Sequence, residues 1–149
     1  MNEVETRSRR GNVSGSITDG DPNTFVVTYD GKWAAEDWFA VTLSAPTELQ
    51  RVIFIQGRIF HDGGWFDVSA GLPQVQVQTS RGGPWATVGK LKDYPATTTT
   101  SPAGLAGGEQ FTCQLSQKTK VFGVRVIGKP AGGDNPKQAF AACAELLAE

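Results

Sequence analysis

The sequence predicts an all-β domain, a β-sandwich or jelly roll, and three observations support this fold class. Short apolar runs recur along the chain, and turn residues separate them: the chain has 18 glycines and 8 prolines. Several of these runs alternate apolar with polar residues, which is the pattern of a strand with one buried face. No apolar repeat of helical period continues over a useful length.

The predicted strands can be assigned in order along the chain. Residues 38–43 alternate, whereas residues 52–55 form a continuous apolar run, which is typical of a strand buried on both faces. The clearest alternation lies at residues 74–79, where glutamines face one way and valines the other. Further strands are predicted at residues 85–88, 110–115, 121–127 and 140–148. The last segment is rich in helix-favouring Ala, Glu and Leu, but it ends a β-rich chain, so we predict a strand there.

The domain organisation is simple. Residues 1–12 are predicted to be a flexible N-terminal segment, and residues 13–149 a single domain. The segment holds the only basic cluster, Arg7, Arg9 and Arg10, near a terminus that we expect to fray. A chain of 149 residues suits one domain with a sizeable core.

Composition excludes several classes of function. The formal net charge is −1 and the basic residues are scattered, so we expect no nucleic-acid partner. No apolar run approaches the roughly 20 residues that a membrane span needs. With His61 as the single histidine and no Gly-rich phosphate loop, little catalytic chemistry is available, so we do not expect an enzyme. A carboxylate pair of the glycosidase type stays open, although a small sandwich rarely builds a deep cleft around one.

The two cysteines, Cys113 and Cys143, both lie in segments predicted as strands. Free cysteine is among the most buried residue types, so both can be small core residues. A disulfide is the alternative, because secreted proteins retain disulfides. The sequence leaves both interpretations open.

An acidic turn occupies residues 19–24, with the sequence DGDPNT. In one interpretation, Asp and Asn side chains cap their own backbone while Gly and Pro set the φ angles of the turn. In the other, the same oxygen atoms contribute to a calcium site, which needs six to eight oxygen ligands. Both interpretations are open from the turn alone.

Five motifs follow one another in a specific order: DGDPNTF at residues 19–25, DWFAVTL at 37–43, VQVQTSRGGPW at 75–85, VRVIG at 124–128 and CAEL at 143–146. This succession resembles the F5/8 type C (discoidin-like) domains, and especially the family 32 carbohydrate-binding modules, over residues 13–148. The resemblance implies a jelly-roll β-sandwich of the galactose-binding-like type. It also implies a non-catalytic carbohydrate-binding module, appended to a larger secreted glycan-active protein.

The resemblance further implies a structural calcium ion where the acidic turn meets the last strand. By position, the side chains or carbonyls of the turn and the last strand would provide the ligands. The implied set is Ser16, Asp19, Asp21, Thr24, Ala144 and Glu145. One ion would neutralise three carboxylates and tie the first loop to the last strand.

The ligand site departs from the pattern of the galactose-binding members. Val26 follows Phe25 where those members have His, and Gly63-Gly64 replaces an Asn-Gly after the position of Arg58. We instead predict that sugar contacts the loop at residues 58–67, because sugar binding needs aromatic faces and planar polar groups. The predicted ligand-binding residues are Arg58, His61, Asp62, Trp65, Phe66 and Asp67, with Trp33, Lys129 and Asn135 on neighbouring loops. The alternative is that Trp65 and Phe66 fill the end of the sandwich, with His61 and Asp62 as a local pair.

The expected partners are an oligo- or polysaccharide and a parent enzyme domain in the same chain, at an extracellular or cell-surface location. A discoidin-type module that adheres to proteins or cell surfaces without sugar specificity is the alternative. Membrane insertion is not expected, because acidic Asp62 and Asp67 lie beside the apolar residues that would have to insert.

Overall fold

The structure, a computed structural model, describes residues 3–10 and 15–149, and these residues contain strands and no helix. The strands are β1 (Glu3–Arg7), β2 (Val26–Val27), β3 (Asp37–Gln56), β4 (Gln74–Gln78), β5 (Ala86–Lys90), β6 (Gln110–Gly128) and β7 (Ala142–Ala148). Every strand pairing is antiparallel. None of these residues forms a helix long and apolar enough to span a membrane.

The two long strands, β3 and β6, each run through both layers of a sandwich. Residues 37–42 of β3 pair with residues 123–128 of β6, and residues 51–55 pair with residues 110–114. The register shifts between these stretches, as at a β-bulge that bends a strand. One layer therefore has the order β5-β4-β6-β3-β1, and the other has the order β6-β3-β7-β2. The predicted all-β sandwich is confirmed.

The strand predictions differ from the structure in how the long strands are divided. The predicted strands at 38–43 and 52–55 are the two ends of β3, and those at 110–115 and 121–127 are the two ends of β6. The connecting residues continue the pairing, but they are polar and mostly exposed, so the apolar pattern stops there. The last segment is a strand over residues 142–148, as predicted.

The expectation of a flexible N-terminal segment is wrong for the residues that the structure describes. β1 pairs with residues 39–43 of β3 and forms the edge of one layer. The Arg9 guanidinium lies 2.6 Å from the Asp37 carboxylate, which is fully buried. It lies at the same distance from the carboxylate of Asp30, which is partly exposed. The ion pair with Arg9 offsets the cost of burying the Asp37 carboxylate, and it therefore stabilises the packing of the segment against the domain. Residues 1–2 and 11–14 of the predicted segment and domain boundary lie outside the described residues.

The core between the layers is built from apolar residues that point inward from both. Phe39, Phe54 and Phe66 contact one another near one end, with ring centroids 5.8–6.5 Å apart. Cys113 and Cys143 are buried and free, so the disulfide interpretation does not hold. Burial raises the pKa of both thiols. The cysteines are core residues.

Candidate functional site

The loop at residues 58–67 turns its large aromatic side chains into the protein. Trp65 and Phe66 are only 2% and 1% exposed. The Trp65 indole nitrogen donates a hydrogen bond to the carbonyl of Thr98 at 2.8 Å, which satisfies its polar group inside. The prediction that Trp65 and Phe66 contact sugar is therefore wrong, because both are part of the core.

Two glycines make this inward turn possible. Gly63 and Gly64 have φ angles of 144° and 108°, which L side chains rarely adopt. A Cβ atom at Gly63 would lie 2.7 Å from the ring of Phe140, and one at Gly64 would lie 2.6 Å from the Arg58 carbonyl oxygen. The glycine pair that replaces Asn-Gly thus lets the loop pack closely against the segment before β7.

Asp67 is also buried, and its carboxylate is used within the loop. It accepts hydrogen bonds from the backbone nitrogen and the hydroxyl of Ser69, and it lies 3.4 Å from the Lys129 ammonium. Burial acts to raise the pKa of Asp67, but Ser69 and Lys129 more than offset this effect, so the pKa is lowered. Asp67 is 3% exposed and cannot bind sugar as predicted. Lys129 remains accessible beside a hollow of about 220 Å³.

The exposed polar residues of the predicted site group around the loop at residues 131–139. His61 is highly exposed, and its Nδ1 lies 2.9 Å from the Asp134 carboxylate, whereas its Nε2 lies 4.0 Å from Asp62. Asn135 caps a turn by accepting a hydrogen bond from the Lys137 backbone nitrogen. His61 therefore pairs with Asp134 in preference to Asp62.

Trp33 lies on the other side of the same loop. Its neighbour Lys32 accepts a hydrogen bond through its carbonyl from the Ala139 backbone nitrogen at 3.2 Å. Trp33 itself is 58% exposed. Of the tryptophans predicted to bind sugar, Trp33 is thus accessible and Trp65 is not.

Arg58 borders a cleft of about 640 Å³. The cleft is lined by residues 22–25, 56–59 and 105–108. The exposed Arg58 guanidinium lies over the Phe60 ring, 5.2 Å from its centroid, and Phe60 meets Phe25 edge to face at 5.9 Å. The cleft lining therefore combines a planar cation with one partly exposed aromatic ring, that of Phe25, and sugar recognition needs both kinds of group.

One wall of the cleft consists of backbone. Gly108 donates a hydrogen bond to the Gln56 carbonyl at 2.8 Å, and a Cβ atom at Gly107 would lie 3.3 Å from the Gly57 carbonyl oxygen. Gly108 has a φ of 89°, so a glycine is favoured there. Because these residues lack side chains, peptide groups line this wall. Sequence reasoning missed this wall and Phe25; the available signal for Phe25 was its place directly after the acidic turn.

The acidic turn and the last strand bring two carboxylates together. Asp19 accepts hydrogen bonds from the Thr24 hydroxyl at 2.5 Å, the Asp21 backbone nitrogen at 3.0 Å and the Ser16 backbone nitrogen at 3.3 Å. Glu145 is 2% exposed, and neither of its oxygens has a hydrogen-bond partner within residues 3–10 and 15–149. The Ile17 carbonyl accepts a hydrogen bond from the Leu146 backbone nitrogen at 3.0 Å, which ties the turn to β7.

The two carboxylates shift each other's pKa in opposite directions. Burial, followed by the adjacent Asp19 carboxylate, raises the pKa of Glu145 to about 8. The contact with Glu145 and the Thr24 hydroxyl holds the pKa of Asp19 well below its usual range. A buried carboxylate without a partner is costly, and a cation in contact with both groups would remove this cost.

The implied calcium ligands fit this arrangement in part. Asp19 and Glu145 fit, and Ala144 lies at a register shift of β7, between the residues that pair with Ile55 and Gln56. The Asp21 carboxylate instead accepts a hydrogen bond from the Asn23 backbone nitrogen, as in a capped turn. Within residues 3–10 and 15–149, no group of three or more His, Cys, Asp or Glu side chains converges as a metal site would require. Remaining ligands would have to be carbonyls, hydroxyls or water.

Comparison with known proteins gives one kind of match. No protein-family model and no curated protein sequence matches this chain. Among solved structures, a family 32 carbohydrate-binding module of Clostridium perfringens in complex with GalNAc-β-1,3-galactose has a TM-score of 0.67 at 15% identity, covering 98% of this chain and 94% of that one. Another family 32 module of this organism, in complex with galactose, has a TM-score of 0.67 at 14% identity, covering 98% and 92%.

A chitosan-binding module derived from a chitosanase/glucanase of Paenibacillus sp. IK-5 is similar as well. Its TM-score is 0.61 at 18% identity, and the match covers 100% of this chain and 96% of that module. At these identities the matches establish the fold. The chain therefore has the galactose-binding-like sandwich fold of the family 32 carbohydrate-binding modules, as the order of its motifs predicts.

Proposed function

We propose that this chain is a non-catalytic carbohydrate-binding module that takes a sugar in the cleft beside Arg58. The observation that carries the proposal is that the exposed Arg58 lines the cleft, with its guanidinium 5.2 Å from the centroid of the Phe60 ring. The solved structures with this fold support the same ligand class, since their names record galactose, GalNAc-β-1,3-galactose and chitosan.

The chemistry of the cleft suits a pyranose ring. The guanidinium can donate two parallel hydrogen bonds to neighbouring hydroxyl oxygens. The ring of Phe25 offers an apolar surface for the C–H groups of the sugar, and the peptide groups of residues 105–108 add donors and acceptors. A shallow site of this kind gains about 4 kcal/mol, which corresponds to a Kd of about 1 mM.

Such weak binding is useful when the module is attached to another domain. We propose that the parent protein is a larger, secreted, glycan-active protein, outside the cell or on its surface, where polysaccharide is accessible. Tethering then raises the effective concentration of a catalytic domain at the polysaccharide. The origin of the similar Paenibacillus module in a chitosanase/glucanase supports this context.

We also propose that Asp19 and Glu145 hold a structural calcium ion. The ion would neutralise the two carboxylates and tie the acidic turn to β7. The unsatisfied oxygens of Glu145 support this proposal.

A glycan array followed by calorimetry tests the carbohydrate proposal. We expect the protein to bind one of the galactose-, GalNAc- or glucosamine-containing glycans, and Arg58→Ala to weaken that binding at least tenfold. Arg51→Ala is the matched control, because Arg51 is an exposed arginine of β3, outside the cleft lining, and it pairs with Glu149. An array without signal, combined with binding to a protein partner, would instead favour the adhesion alternative. Equal affinity of the Arg58→Ala variant and the unmodified protein would remove the cleft from the proposal.

A further inference from the structure

A second surface with the chemistry of a binding site lies on the outer face of the layer β5-β4-β6-β3, away from the Arg58 cleft. Here the Arg125 guanidinium lies between two indoles, 4.7 Å from the ring centroid of Trp85 and 5.6 Å from that of Trp38. We call these three residues the Trp–Arg–Trp face.

Strand pairing places these residues side by side. Val124 and Val126 point into the core, so Arg125 between them points outward. Arg125 pairs across the sheet with Ala40, two residues beyond Trp38. The same alternation therefore carries Trp38 to the outer face.

Gly123 provides the place where Trp85 lies against the sheet. A Cβ atom at Gly123 would come within 3.2 Å of the Trp85 ring and 2.7 Å of the Gln78 side-chain oxygen. Gln78 in turn donates a hydrogen bond to the Gly83 carbonyl, in the loop that leads to Trp85. A side chain at position 123 would displace the indole, so the glycine keeps the face flat.

Polar side chains of the same face hold the guanidinium in position. The Nε atom of Arg125 donates to the Gln76 side-chain oxygen at 2.7 Å, and Gln76 donates to the Thr87 hydroxyl at 3.1 Å. Thr87 donates in turn to Gln74 at 3.1 Å. With Nε engaged, the two terminal nitrogens remain as a planar pair of donors, the geometry that matches a carboxylate.

Arg125 has no ion pair with a described residue, unlike Arg9 and Arg51. Arg9 pairs with Asp37 and Asp30, and Arg51 pairs with Glu149. Among the described residues, no carboxylate forms an ion pair with Arg125. Burial lowers the pKa of Arg125, and Glu36 only partly offsets this effect. A partly desolvated guanidinium with a free pair of donors is therefore suited to an external anion.

We propose that the Trp–Arg–Trp face binds an acidic polysaccharide, with Arg125 pairing with a uronate carboxylate and the two indoles contacting the adjacent sugar rings. The face is an open sheet surface flanked by aromatic rings, which suits an extended chain of sugars better than a small anion. The ligand class rests on the proposed carbohydrate-binding function, but the surface and the chemical group recognised are different.

Native gel electrophoresis of the intact chain in gels containing polygalacturonate, alginate or hyaluronan tests this proposal. We expect one of these polymers to retard the protein, and added salt or methyl esterification of the polygalacturonate to reduce the retardation, because both weaken a charge pair. Arg125→Gln should weaken binding at least tenfold, and Trp85→Ala several-fold. Arg125→Lys, which keeps the charge but loses the planar fork, should restore only part of the affinity.

Two control variants make the result specific. Arg81→Gln removes another arginine that lies over a ring, that of Phe122 at 5.2 Å, and should leave retardation unchanged. Arg58→Ala should also leave it unchanged, so failure of the cleft and failure of this face are distinguishable. Circular dichroism checks that each variant is folded. If Arg125→Gln is not folded, the comparison uses Arg125→Lys. No retardation by any of the three polymers, or equal loss in the Arg81 and Arg125 variants, would overturn the proposal.

Discussion

The carboxylate of Glu145 lies buried against that of Asp19, and neither Glu145 oxygen accepts a hydrogen bond from the part of the chain that the structure describes. This contact joins the acidic turn near the start of the chain to its last strand. A second carboxylate repels a buried one that it contacts, unless a proton or a cation lies between them. The stability of the sandwich should therefore depend on what neutralises this pair.

Calcium should stabilise the protein through this pair. At saturating calcium the melting temperature should rise by about 5 °C or more relative to the chelated protein, because an ion bound only to the native state adds about 2.7 kcal/mol at 100 times its Kd. Glu145→Gln should abolish the calcium-dependent rise. Asp21→Asn should largely retain it, because the Asp21 carboxylate accepts a hydrogen bond from Asn23 in the turn. Equal melting temperatures with calcium and with chelator would count against the ion.

Trp65→Ala should destabilise the protein strongly. Removing this 2% exposed indole leaves a cavity and an unpaired Thr98 carbonyl, so we expect a loss of about 3–5 kcal/mol in the free energy of unfolding. Trp33→Ala is the control, since an exposed substitution changes stability by less than about 0.5 kcal/mol. Urea denaturation measures both. Similar losses in the two variants would contradict the placement of Trp65.

The N-terminal segment should contribute to stability through Arg9. Asp37 is fully buried, and its carboxylate also accepts hydrogen bonds from Ser8 and Thr28. Removing the guanidinium in Arg9→Ala leaves a buried charge without its ionic partner, which costs about 3 kcal/mol. Arg10→Ala, at an exposed position of the same segment, should cost less than about 0.5 kcal/mol. Equal stabilities of the two variants in urea denaturation would contradict the ion pair between Arg9 and Asp37.

His61 should titrate above its ordinary pKa of 6.5, because the hydrogen bond to Asp134, together with the charges of Asp134 and Asp62, favours the protonated ring. The raised folded-state pKa means that protonated His61 favours the folded state below pH 6.5. This contribution is lost as the pH rises through the folded-state pKa. An NMR titration of the imidazole measures the pKa directly. Asp134→Asn should lower it, and an unchanged value would show that the pair does not form in solution.

Much of the fold could be predicted from the sequence, because burial of alternate residues is a local pattern. The alternations at residues 74–79 and 121–127 predict strands that the structure contains. The same logic could not predict β1, which lies at an edge and carries charged residues. The sequence pattern also divided β3 and β6 in two, because the middle of each strand is mostly polar and exposed.

The candidate site was predictable in its chemistry but not in its accessibility. Arg58 borders the cleft and Asp19 contacts Glu145, and both placements depend on the order of the strands. The loop at residues 58–67 has the composition of a binding loop, yet Gly63 and Gly64 turn Trp65 inward. The amino-acid composition of a loop does not show whether its aromatic rings point into the core or towards solvent.

The sequence by itself determined the strand pattern, the order of the motifs and hence the sandwich, because side chains alternate about an extended backbone regardless of distant contacts. Only the tertiary structure decided which aromatic residues are buried, that Phe25 and Arg58 share a cleft, and that Arg125 lies between Trp38 and Trp85. These outcomes depend on contacts between residues far apart in the chain. Packing between residues far apart in the sequence buries most apolar rings, and it therefore decides which few remain on the surface.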